Sequence, residues 1–184
     1  NLAACTNNCT SAVMLLLADP RVDPTIANQN GVTVLMSAAG NGEMTSVVAM
    51  LLADGRVDPD IGCSQYGRTA LMRAASAGCD SLVTLLLADQ RVNVNATDQR
   101  GCTALMHAAN EGFDSVVKLL LADQRTDPNI AEQAQLFAGE TALLSAARQG
   151  HAPVVTLLLA DERLDPNRTN DAGETALMLA TQNR

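Results

Sequence analysis

An all-α solenoid of stacked helix–turn–helix units is the fold this chain predicts, and three observations predict it. A leucine run closing on Ala-Asp-x-Arg occurs five times: "LLLADPR" from Leu15, "LLADGR" from Leu51, "LLLADQR" from Leu85 and Leu119, and "LLLADER" from Leu157. A Gly-x-Thr start also occurs five times, at Gly31, Gly67, Gly101, Gly139 and Gly173, with offsets of 36, 34, 38 and 34 residues. A period near 34 restricts the choice to short helical repeats. Finally, hydrophobic residues make up 47% of the chain, mostly Ala, Leu and Val, while aromatics make up 2%. Such small aliphatics suit closely packed helices better than a sandwich or barrel.

Each unit reads in the same order. Thr33, Thr69, Thr103, Thr141 and Thr175 stand at N-cap positions, where a hydroxyl can accept a free N–H of the first helical turn. The following "ALM-AA" pattern covers one face of a first helix with apolar and small residues. Gly42, Gly78, Gly112 and Gly150 are expected to stop that helix in the left-handed conformation, with Asn7 taking this place in the first unit. A second helix carries "SVVAMLL", "SLVTLLL", "SVVKLLL" or "PVVTLLL". Pro153 falls in its first turn, where a missing N–H does no harm. The Asp-x-Arg segment then breaks the helix, and a polar spacer leads to the next Gly-x-Thr.

The array divides into an incomplete unit at 1–27, full units at 28–62, 63–97, 98–134 and 135–169, and an incomplete unit at 170–184. Neither end reads as a polar cap, and solenoids need such caps. The expectation is a segment of a longer array, or ends that dock on another molecule. From the Asp of "LLAD" to the next Gly the spacer is 12 residues in three places, 13 before Gly67 and 16 before Gly139. The longest, "NIAEQAQLFAGE", puts Leu136 and Phe137 in a polar loop. Insertions on one face of a solenoid often mark the binding face.

Composition narrows the function. The net charge is −8, and eleven of twelve basic residues are Arg, so no basic stripe offers a phosphate backbone its counter-charge. Nucleic acid is therefore not expected as a partner. No run reaches the 18 or so apolar residues that insertion into a membrane requires. Five cysteines at irregular spacing argue against a disulfide framework and for a reducing, cytoplasmic setting. They also lack the four-ligand spacing of a zinc site. His107 and His151, the only histidines, sit in different units with no nucleophile at a suitable spacing. Neither catalysis nor a cofactor is expected.

In its Gly-x-Thr start, Ala-Ala, Gly, Val-Val and Leu-Leu-Leu, taken in order over essentially the whole chain, the sequence resembles the ankyrin-repeat family. The resemblance implies helix pairs joined by hairpin-like loops, and a protein-interaction module or scaffold that holds its partner along loop fingertips and a concave inner-helix face. The same array could instead be the targeting or regulatory part of a larger enzyme, channel or multi-subunit assembly. Two departures stand out. The family's Pro is Val34, Ala70, Ala104, Ala142 or Ala176 here, and its His is Met36, Met72, Met106, Leu144 or Met178. Losing that His removes a polar tie between neighbouring loops, which predicts looser loops.

Repetition separates scaffold from candidate site. Positions that recur answer a demand of the fold; positions that vary are open to recognition. By that test Asp19, Asp54, Asp89, Asp123 and Asp161, with Arg21, Arg56, Arg91, Arg125 and Arg163, are scaffold that satisfies loop and helix-end backbone groups. The varying positions are Gln65, Tyr66, Arg68, Arg73 and Ser76, then Gln99, Arg100, Cys102, His107, Asn110 and Glu111, then Glu140, Arg148 and Gln149, with Leu136 and Phe137 in the long spacer. Four arginines in this set, Arg68, Arg73, Arg100 and Arg148, predict a locally basic face that favours an acidic or extended segment of a partner protein. His107 reads as a contact residue and His151, after a turn Gly, as structural.

Overall fold

The computed structural model describes residues 2–133 and 138–182. Its helices are α1 (Leu2–Ala18), α2 (Val34–Ala39), α3 (Thr45–Ala53), α4 (Ala70–Ser76), α5 (Asp80–Ala88), α6 (Ala104–Glu111), α7 (Asp114–Ala122), α8 (Ala142–Gln149), α9 (Ala152–Leu159) and α10 (Ala176–Gln182). No strand occurs among the described residues. Helices α2, α4, α6, α8 and α10 stack on one another as an inner layer, and α1, α3, α5, α7 and α9 as an outer layer.

Beyond α1 the helices run six to nine residues, too short to persist alone in water. Packing stabilises them. The paired alanines of the inner helices, Ala74 and Ala75, Ala108 and Ala109, Ala146 and Ala147, are buried and let adjacent backbones approach closely. Helices α3, α5, α7 and α9 each insert two or three branched residues beneath them: Val47, Val48 and Leu51; Leu82, Val83 and Leu86; Val116, Val117 and Leu120; Val154 and Leu158. The threonine caps form as expected, with Thr33, Thr69, Thr103 and Thr141 accepting the N–H of the third helical residue at 3.3–3.4 Å. Met72 and Met106 stand where the family carries His, and their thioethers accept the Thr69 and Thr103 N–H groups at 3.5 Å.

Two turn expectations are corrected. Gly78, Gly112 and Gly150 take the left-handed conformation, but Gly42 does not. Gly40, two residues earlier, ends α2 in a right-handed conformation, and a further turn closed by Met44 N–H on Asn41 O needs no left-handed residue. Nor does Asn7 make a turn: α1 passes through it unbroken. Asn costs a helix only about 0.7 kcal/mol and lacks the freedom that makes Gly a stop.

The Asp-x-Arg segment does more than fix a loop. In each case the guanidinium holds its own Asp in a two-pronged pair, for example Arg125 Nη2 on Asp123 at 2.7 Å. In Arg56, Arg91, Arg125 and Arg163, though not in Arg21, the guanidinium also reaches across to the preceding unit. Arg125 donates to Leu87 O (2.8 Å) and Val92 O (3.2 Å), Arg91 to Leu52 O (2.6 Å) and Val57 O (3.0 Å), and Arg163 to Leu121 O (2.8 Å) and Thr126 O (3.0 Å). Leu52, Leu87 and Leu121 each stand one residue before the end of an outer helix, where carbonyls lack intrahelical donors and a positive charge suits the helix dipole. A second tie runs alongside: Asn95 and Asn129 donate to Arg125 O and Arg163 O, each at 2.7 Å.

Candidate partner-binding face

The spacers fold into hairpins, each closed by a backbone pair such as Asp98 N–H on Cys102 O or Glu132 N–H on Glu140 O. Their tips are joined in a row. Ser64 N–H donates to Asn30 O, Gln99 N–H to Tyr66 O, Gln133 N–H to Arg100 O and Asp171 N–H to Ala138 O, at 2.8–3.1 Å. Backbone bonds thus tie neighbouring tips in units where Met or Leu stands in place of the family's His. They also explain the recurring Gly of Gly-x-Thr. Gly101 sits at φ +86°, and a Cβ there would stand 2.6 Å from Gln133 N.

The row exposes Gln65, Tyr66 and Gln99 at the tips, with Tyr66 the one large aromatic side chain presented there among the described residues. Between the hairpins and the inner helices lies a polar hollow of about 250 Å³. It gathers Arg68, Arg100, Cys102, His107, Asn110, Glu111 and Glu140 from the varying positions. Arg148 joins its rim through Glu140 (3.2 Å) and Gln149 through Asn110 Oδ1 (3.1 Å). Arg73 reaches instead towards the end of α2, and Ser76 spends its hydroxyl on Met72 O at 2.8 Å. Leu136 and Phe137 lie outside the described residues.

Three residues that the varying positions did not point to organise this hollow: Asp98, Glu132 and Ser145. Asp98 and Glu132 open their hairpins, the place held by Asn28, Cys63 and Asn170 in other units. Asp98 Oδ1 accepts the Arg100 and Cys102 N–H groups at 2.9 and 3.0 Å, as the side chains of Asn28 and Asn170 do in their own hairpins. Its second oxygen meets His107 Nε2 at 3.0 Å. A side chain that shapes a hairpin thereby also orients an inner-helix residue. Ser145 donates to Asn110 Oδ1 across adjacent inner helices.

The face is not simply basic, and the reason is geometric. Beneath each of three arginines lies a buried carboxylate: Arg68 is 3.9 Å from Asp98, Arg100 2.7 Å from Glu132, and Arg148 3.2 Å from Glu140. Asp98, Glu132 and Glu140 side chains are 2–7% exposed, against 38%, 52% and 31% for their arginines. The carboxylates offset the charge from below, while the guanidiniums remain at the surface. Burial opposes the Asp98 charge, yet the bonds from His107 and the two backbone amides together hold its pKa below the usual carboxylate value. Burial pushes the Cys102 thiol up to about 12, with Glu132 and Asp98 adding to the effect, so it stays a neutral thiol near pH 7. His151 has a structural place, its Nε2 3.0 Å from Asn110 O and its ring against Gly112.

A larger groove of about 460 Å³ runs between α8, α9 and α10, lined by Leu143, Val155, Leu159 and Leu177 with Thr156 as its one hydroxyl. It holds no ionisable group that could orient a ligand. No group of three or more candidate metal ligands occurs among the described residues, and none of their helices is long and apolar enough to cross a membrane. A family model described as ankyrin repeats matches three times, over residues 1–98, 65–132 and 105–184. No curated protein matches the chain.

Proposed function

Because the chain belongs to the ankyrin-repeat family, whose arrays are in general protein-interaction modules, we propose that it is a non-catalytic scaffold that holds a partner protein along its hairpin tips and inner helices. One observation carries this reading. Seven of the residues that differ from unit to unit, Arg68, Arg100, Cys102, His107, Asn110, Glu111 and Glu140, converge on one polar hollow, and the exposed Tyr66 lies in the same row of hairpins. Hydrogen bonds between tips and ion pairs beneath the arginines order that surface before any partner arrives. A preordered surface loses little entropy on binding, which is how a small number of contacts can yield affinity. An exposed aromatic beside arginines has the composition of an interaction hot spot. The buried, protonated Cys102 offers no nucleophile in the hollow. Cys63 and Cys79 are free thiols as well, which suits the reducing cytoplasm as the place of action.

Affinity capture tests the reading. The chain is immobilised beside a face variant, Tyr66→Ala with Arg73→Gln and His107→Gln, and an outer-layer variant, Thr84→Ala with Lys118→Gln. Circular dichroism first establishes that all three fold. A partner retained by the parent and the outer-layer variant but lost from the face variant supports the proposal. Equal retention by the face variant, or loss confined to the outer-layer variant, moves the binding surface elsewhere and refutes it.

A further inference from the structure

The four arginines of the face are not equivalent, and the difference selects the chemistry of the partner. A guanidinium grips a carboxylate best through one edge, with two parallel N–H groups. Arg100 and Arg148 have committed that edge within the molecule. Arg100 places Nε 2.9 Å and Nη2 2.7 Å from Glu132 Oε1, and Arg148 places Nε and Nη2 3.2 Å from the two oxygens of Glu140. Arg68 and Arg73 have not. Their Nε atoms are buried without a hydrogen-bond partner. The nearest carboxylate to Arg68, Asp98 at 3.9 Å, is already taken by His107 and two backbone amides. Arg73 makes no ion pair among the described residues and leans past the exposed Gly40 at the end of α2.

An unpaired buried N–H is unfavourable, because it has given up water without gaining an acceptor. Such a cost is recovered when a ligand completes the pair, and a turn about the last side-chain bonds presents the Nε edge outward. Both residues belong to the same unit as the exposed Tyr66. Resting on the reading of this face as the binding surface, we propose that the partner presents an extended acidic segment, and that Arg68 and Arg73 take its carboxylates while Arg100 and Arg148 shape the hollow. The arginine content of the face alone would rank all four alike; the committed edges separate them.

The test reads each arginine directly. The Nε–Hε signals of the ¹⁵N-labelled chain, assigned by the signal each Arg→Lys variant removes, are titrated with glutarate. Sodium chloride at equal ionic strength, glutaramide and inorganic phosphate serve as separate arms. Saturable movement of the Arg68 and Arg73 signals with glutarate, with those of Arg100 and Arg148 moving no further than in sodium chloride, is the expected result. Movement of all four alike, movement with glutaramide, or an absence of movement at Arg68 and Arg73 overturns the proposal. Saturation by phosphate at lower concentration than glutarate overturns the carboxylate assignment in favour of a phosphorylated ligand. Each of these failures leaves the capture experiment untouched, so loss of the ligand chemistry is distinguishable from loss of the binding face.

Discussion

Replacing Arg125 by Met is expected to loosen the joint between two units while leaving the stem of the side chain in place. The Arg125 side chain is 31% exposed, and its guanidinium donates to Leu87 O at the end of α5 and to Val92 O beyond it. Hydrogen bonds from a charged donor contribute about 1.5–3 kcal/mol each when sheltered, and solvent screening at this exposure cuts that to about 1 kcal/mol each. The pair with Asp123 adds little, since Asp123 Oδ1 keeps the residue-125 N–H. The loss sums to about 2 kcal/mol. With a urea slope of about 2–3 kcal/mol/M for a chain of this size, the unfolding midpoint falls by roughly 0.7–1 M. Because repeat arrays can open in segments, amide exchange at the end of α5 should accelerate together with the midpoint shift. Arg21→Met is the internal control: Arg21 is 88% exposed and its hydrogen bonds go to Asp19, so its loss should leave the midpoint in place. Equal effects of the two substitutions would show that the recurring arginine acts as a surface pair only, and the clamp argument would fail.

Other consequences can be checked on the same footing. Thr103→Ala removes the acceptor for Met106 N–H and should cost about 1 kcal/mol in a urea titration, with the loss recovered by Thr103→Ser. Stability should be flat from neutral pH down to about 5 and decline as pH falls through the acid range. The cause is that hydrogen bonds from Arg56 and its counterparts hold Asp54 at about 2 and lower Asp19, Asp89, Asp123 and Asp161. A depressed carboxylate contributes stability above its unfolded pKa, near 3.9, and loses it as pH drops through the folded value. Proton uptake on unfolding at pH 3, measured by paired calorimetry in two buffers, checks the sign. Cys102 should resist alkylation by iodoacetamide at pH 8 in the folded chain and react fully in denaturant, since burial holds its thiol near 12.

The recurrent half of the molecule was legible because repetition displays its own constraints. Five threonines at one register announce an N-cap, and the "VV-LLL" pattern announces a buried stripe; both follow from local chemistry and the helical period. Gly42 and Asn7 show where that reading fails. Each occupies the turn position by register, yet the turn is decided by what the chain around it can do instead: Gly40 ends α2 early, and α1 meets no interruption that Asn7 alone could impose. The clamp was half legible. A pairing of Asp with Arg two residues later is visible in sequence. That the same guanidinium reaches carbonyls 34 to 39 residues back requires knowing how one unit sits on the next.

For the face, variation found the surface but not its electrostatics. The arginines vary between units and so stood out. Their counter-charges did not, because Asp98 and Glu132 open the hairpins, where a polar side chain is expected for turn formation in every unit and carries no special signal. Asn28 does that work with an amide, and Asp98 does it with a carboxylate whose spare oxygen then receives His107. Charge at that position thus has two effects, one local and one on the adjacent inner helix, and only the first is written in the hairpin's sequence. The same reasoning explains why four arginines predicted a basic face and three of them prove to stand over buried acids. A count of charges treats a guanidinium as a point, whereas recognition depends on which edge remains. On that criterion Arg68 and Arg73 are set apart: the Asp98 carboxylate near Arg68 is taken by His107 and two backbone amides, and Arg73, whose own unit opens on Cys63, makes no ion pair among the described residues. The unit that opens on Cys63 is thus the one whose arginines keep an uncommitted edge, and it also carries Tyr66.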